Sequence, residues 1–204
     1  MSSACAVREI GTRTIILVDA TLAAGARSDA ETVARTDRRL QFAAAFFAVA
    51  VILHNSDHVR RGVDNLNRDV FVAGTLAITV EVAVVILVFQ RHRLAPLAAT
   101  AIGFALAAGY VVTHALPQRS WLSDSLVSAH DVSPLTWGAA SLEVTSAIVL
   151  GVAGLLALRA HGGLASATEP TGDELPVRAG VLHPASVALI VGNAVILAIS
   201  FAQL

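Results

Sequence analysis

The 204-residue chain has no lysine, one methionine, one tyrosine and one cysteine, and only 14% of its residues are charged. Each shortage excludes something. With Cys5 alone, the chain can form no internal disulfide, no CxxC redox pair and no thiolate metal cage. Its 14 basic residues, all arginine, are balanced by 15 acidic ones to a net charge of −1, so the basic surface that a nucleic-acid partner needs is missing. Charge this sparse also excludes an ordinary soluble domain, where about a quarter of residues are charged. Arginine in place of lysine, together with abundant alanine, reads as a GC-rich bacterial genome.

What is present is apolar. Hydrophobic residues make up 55% of the chain, and the mean hydropathy is +0.70. Five apolar runs, near 40–58, 70–89, 94–116, 134–158 and 182–203, approach or exceed the roughly 20 residues that cross a bilayer as a helix. They predict an all-α integral membrane bundle of five transmembrane helices over residues 38–204. Its setting would be the lipid bilayer of a bacterial cytoplasmic (inner) membrane, as a homo-oligomer or within a larger membrane complex. Residues 1–37 read as a loosely ordered cytoplasmic tail, or as sequence upstream of the native start. Arginines favour the N-terminus inside and the C-terminus outside: seven fall at the inner helix ends against four at the outer ends. Ser133 and Pro134 supply an N-cap and a first helical residue for the fourth run.

The most informative segment closes the first run. Residues 53–62 place two imidazoles, a carboxylate and two guanidiniums at the end of a membrane helix, where ionisable groups are costly and usually functional. His54, Asp57, His58 and Arg61 stand at i, i+3, i+4 and i+7, so a continuous helix puts them on one face. Neutral imidazoles and a carboxylate suit zinc, iron, manganese or copper. His114, or His130 with Asp131, would complete an outward-facing metal site from the second outer connection. Arg60 and Arg61 could bind an anionic group, or pair with Asp57, Asp64 or lipid phosphate. The pattern His54-x-x-Asp57-His58-x-x-Arg61-Gly62 resembles that of small multi-pass membrane proteins of actinobacteria with no assigned activity. That resemblance implies no catalytic residues.

Deeper in the bundle, Glu81, Glu143 and Asn193 fall at similar depth near the membrane centre, counting about 1.5 Å per helical residue. A carboxylate there must face the interior, either as part of a site or as hydrogen-bonded packing. A faint repeat links the two levels: His54 precedes Glu81 by 27 residues, and His114 precedes Glu143 by 29. Tyr110, four residues before His114, shares its face.

Four readings follow. The first is a metal-dependent membrane hydrolase or metal handler, with His54, Asp57, His58, His114, His130 and Asp131 as candidate ligands and Glu81 or Glu143 as candidate base. The second is a b-haem, quinone-linked electron carrier ligated by His54 and His114. The third conducts protons or cations through the glutamate level. The fourth is a non-enzymatic accessory subunit in which the polar groups only fix helix register.

Overall fold

A computed structural model describes residues 3–62, 66–117, 123–129 and 132–163, with seven further positions between 186 and 195. Four helices carry the chain: α1 (Ser3–Arg61), α2 (Arg68–Phe89), α3 (Ala95–Tyr110) and α4 (Pro134–Ala160). Each packs on the next and α4 closes back on α1, so the four make one ring. This is the bundle that short connections between antiparallel helices produce.

The count differs from the sequence expectation. Among the described residues, four helices and not five are long and apolar enough to cross a membrane: Arg27–Arg61 within α1, α2, Ala95–Ala115 and α4. The run 182–203 lies largely outside the described residues, and its described positions, helical at 186–187, 190–192 and 194–195, do not make a span. An apolar run of spanning length is necessary for a span and does not by itself create one. The placing of the C-terminus on the outside rested on an odd number of spans and falls with the fifth. At the start, α1 is one continuous helix through residue 38, and the apolar stretch long enough to span lies within its Arg27–Arg61 part.

The ends of the helices are set by local chemistry. Ser133 caps α4 as expected, its Oγ accepting from the Thr136 amide at 3.2 Å, with Pro134 next in line. Asn67 does the same for α2, its Oδ1 accepting from the Asp69 amide at 3.0 Å. The α2 C-terminus closes with the His92 amide on the Leu87 carbonyl (3.0 Å) and the Arg91 amide on Val88 (3.1 Å). This double closure needs a left-handed residue, normally glycine, and here Arg91 occupies it at φ 52°. Arginine at that position is strained, because its Cβ crowds the following carbonyl.

Away from the histidine end the bundle is tightly packed. Phe47, Val51, Val85, Ala147 and Leu150 are fully buried. Glycines let α3 and α4 touch along their backbones. A Cβ on Gly103 would lie 2.6 Å from the Gly151 nitrogen, and one on Gly154 would lie 2.7 Å from the Thr100 nitrogen. Small residues at such a crossing are how helices approach in lipid, where apolar burial alone does not drive them together. Large apolar side chains such as Phe42, Val49, Leu76, Val80 and Val152 point outward, as a lipid-facing surface requires.

Candidate metal centre

Three histidines meet at one end of the bundle. His54 and His58 come from the last turns of α1, one turn apart on the same face. His114 comes from Val111–Ala115, where α3 widens into a π turn. A π turn inserts an extra residue per turn and re-aims the side chains it carries, and such turns recur at functional sites. The ring centroids of His54 lie 4.6 Å from those of His58 and 5.0 Å from those of His114, and His58 and His114 are 5.8 Å apart. One ligating nitrogen from each falls within 4.8 Å of the others, so His54, His58 and His114 form a cluster capable of binding a transition metal ion.

The outward nitrogens have partners. Nδ1 of His114 donates to the Asp124 carbonyl at 3.0 Å, which leaves Nε2 as its free nitrogen. Nδ1 of His54 lies 3.2 Å from Glu143 Oε2, out of line for a hydrogen bond but within a small ring rotation of one. Nδ1 of His58 lies 3.9 Å from Asp124 Oδ2 and accepts from Arg61 Nη2 at 2.8 Å. With Nδ1 so engaged, His58 Nε2 carries the proton and donates to His54 Nε2 at 2.9 Å. These tautomers are assigned from the partners. An ion would need the His58 proton moved to Nδ1, with Asp124 Oδ2 accepting it in place of the Arg61 donor. Arg61 has alternatives at hand, at 3.2 Å from both Asp57 Oδ2 and Asp124 Oδ2. The two Nε2 atoms would need to spread only a few tenths of an ångström toward the about 3.3 Å that tetrahedral bonds near 2.05 Å demand. The residues therefore fit a small ion.

The site is largely buried and does not face outward. His54 and His114 are 7% and 6% exposed. The connection after α3 is the reason. The Asp124 amide bonds to the Thr113 carbonyl and the Leu126 amide to the His114 carbonyl, which folds residues 124–126 down over the π turn. Leu126 is itself buried there.

Other expected residues go elsewhere. Asp57 shares the helix face but turns from the cluster to the guanidiniums, with Arg60 Nη2 2.7 Å from its Oδ1. Arg60 also donates to Ser133 Oγ (3.1 Å) and Thr136 Oγ1 (3.0 Å), tying the end of α1 to the start of α4. Both guanidiniums are thus directed at carboxylates within the chain, and no anion is needed to retain them. His130, Asp131, Asn193 and Asp64 lie outside the described residues. His161 pairs with Asp37 at 2.8 Å at the opposite end of the bundle, away from the cluster.

Below the histidines sit Glu81 and Glu143, each 1% exposed and facing the interior. The Tyr110 hydroxyl donates to Glu81 Oε1. Both glutamates, Tyr110 and the three histidines line one cavity of about 230 Å³ between α1, α2 and α3, with Glu143 reaching it from α4. The two His–Glu pairs that the spacing singled out are therefore neighbours in space.

Sequence reasoning missed Asp124, which serves two histidines and Arg61. Nothing in a Ser-flanked loop aspartate marks it, and only the folded connection brings it to the cluster. Compared with protein-family models, with curated proteins and with solved structures, the chain matches none of them.

Proposed function

We propose that this is a metal-dependent membrane enzyme of the hydrolase type, its ion held by His54, His58 and His114. One observation carries the reading: three imidazoles converge within 4.8 Å, with the outer nitrogens of His54 and His114 against Glu143 and the Asp124 carbonyl and that of His58 between Arg61 and Asp124. Outer acceptors of this kind fix the tautomer and orientation of metal-binding histidines. Three protein ligands with a fourth position open is also the pattern of catalytic rather than structural zinc sites.

Charge supports it. Arg60 and Arg61 are matched by Asp57 and Asp124. Among the described residues, the buried Glu81 and Glu143 have no arginine partner, and Glu143 stands between the His54 ring, Tyr110 and Glu81. A divalent cation beside them would balance two carboxylates that are otherwise costly at this depth. Bound there, such an ion supplies Lewis-acid chemistry. Glu143 orients His54, and Tyr110 holds Glu81 by one oxygen, leaving Glu81 Oε2 to accept a proton.

Two alternatives fit less well. A haem needs two imidazoles on opposite faces of a flat macrocycle, whereas His58 lies close to both His54 and His114. A conduit needs a path onward, whereas Phe47, Val51, Val85 and Leu150 are fully buried across the bundle away from the histidine end. The test is metal analysis of protein purified without chelator. Roughly one zinc, iron, manganese or copper per chain is expected, lost on joint substitution of His54→Ala and His58→Ala and kept in His161→Ala. Wild-type protein that takes up no metal from any of these ions would overturn the reading.

A further inference from the structure

The cavity beside the histidines is built from two materials. Its floor is polar, with Glu81, Tyr110 and the cluster, while Phe71, Ile78 and Leu106 make apolar walls on α2 and α3. Glu81 Oε2 is buried and accepts no hydrogen bond among the described residues, although its other oxygen is taken by Tyr110. It is an acceptor left without a donor, among the described residues, on a side chain that lines the cavity.

The same cavity reaches the surface between α2 and α3. Gly74 and Gly109 both line it, both are exposed, and a Cβ on either would meet nothing within 4 Å. Gly74 stands six residues after Arg68, and Gly109 six before Ala115. The helices are antiparallel, so the two glycines stand at matched depth, about 9 Å in from the site end by the helical rise. On a 22-residue α2, about 33 Å long, that depth falls within a hydrocarbon core of about 30 Å. Gly109 thus behaves unlike Gly103, Gly151 and Gly154: those close a helix contact, and it leaves one open.

We infer that Gly74 and Gly109 frame a side window through which a single-chain amphiphile with a hydroxyl-bearing head group enters from the bilayer, placing a hydroxyl on Glu81 and its chain along α2 and α3. The inference rests on the proposed metal site for the reaction but not for binding. Size agrees with it. A cavity of about 150 Å³ holds a benzene, so this one, at about 230 Å³, takes a ring-sized or glycerol-sized head with its tail left in the window. A water-borne substrate would need no apolar wall and no opening at hydrocarbon depth.

The test uses a photoreactive 1-O-alkylglycerol, whose ether resists hydrolysis, with the full chain in lipid nanodiscs. Labelling of wild type should map to α2 and α3 and be competed by unlabelled alkylglycerol or by a long-chain hydroquinone. Whichever competes better names the source of the hydroxyl head. The same chain capped as a bis-methyl ether, without donors, should compete poorly. Gly109→Phe should lower labelling about tenfold, the loss of roughly 1.4 kcal/mol of binding. Gly138→Phe, on the exposed face of α4 where a Cβ also meets nothing, should not. Glu81→Gln should weaken the preference for the hydroxyl head while labelling by the bis-methyl ether chain is kept. Unchanged labelling in Gly109→Phe, or equal competition by the donor-free chain, overturns the inference. Metal content measured on the same samples separates the two ideas: window-dependent labelling of metal-free protein would sustain the lipid site and defeat the metal reading.

Discussion

The two ends of the bundle are built on opposite rules. At the end away from the histidines, α3 and α4 cross on glycine backbones, and Phe47, Val85 and Leu150 fill the centre with no measurable exposure. At the histidine end, the same helices enclose a cavity, a π turn interrupts α3, and buried carboxylates and imidazoles replace the apolar core. The packed end obeys the local preferences for a membrane bundle with one exception, the left-handed Arg91. The other end breaks several, and such breaks concentrate at functional sites. Burying Glu81, Glu143, His54 and His114 together leaves His54 Nδ1, Glu81 Oε2 and Glu143 Oε2 without hydrogen bonds among the described residues, while the packed end holds the helices in place.

That contrast can be broken from either side. The largest effect is expected at the cluster: replacing His54 and His58 with alanine together should lower metal affinity by more than about 1,000-fold, since two of three ligands vanish. Isothermal titration with zinc would show it, and His161→Ala should titrate like wild type. At the packed end, Gly103→Leu should destabilise by roughly 3 kcal/mol, the upper range for overpacking, because the new Cβ meets backbone that cannot move aside. Thermal or denaturant unfolding in detergent reads this, and Gly109→Leu, which faces the cavity, should cost far less.

A smaller effect tests how the ends cooperate. Glu143→Gln keeps shape and burial but weakens the acceptor facing His54 Nδ1, so metal affinity should fall about 10- to 100-fold with the fold intact. An unchanged affinity would mean that Glu143 is packing and does not orient the ligand. The smallest change lies at the α2 turn: Arg91→Gly should stabilise by about 0.5–1 kcal/mol by relieving the left-handed conformation, without altering metal binding.

Much of this was legible in the sequence, and the reasons differ by residue. The apolar runs of α2, α3 and α4 and the Ser133–Pro134 start needed only composition and capping chemistry. His54 and His58 were readable because i, i+4 spacing on a helix is a local fact, and His114 because the second connection returns to the same end. Asp57 misled: spacing puts it on the right face, but the stronger local attraction of two guanidiniums one turn away turns its carboxylate aside. Asp124 and the burial of the cluster were not readable, since both arise from a loop folding over a π turn, which leaves no periodic signature. The fifth span shows the limit of hydropathy, which counts apolar residues and does not by itself establish a helix of spanning length.

The central claim is that His54, His58 and His114 bind one metal ion together. X-ray absorption at the metal edge of the purified full chain tests it most directly. The account predicts three imidazole nitrogens at about 2.0–2.1 Å, with the outer-ring scattering of histidine, and loss of that pattern in His114→Ala. A metal surrounded only by oxygen, or a spectrum that His114→Ala leaves unchanged, would contradict it.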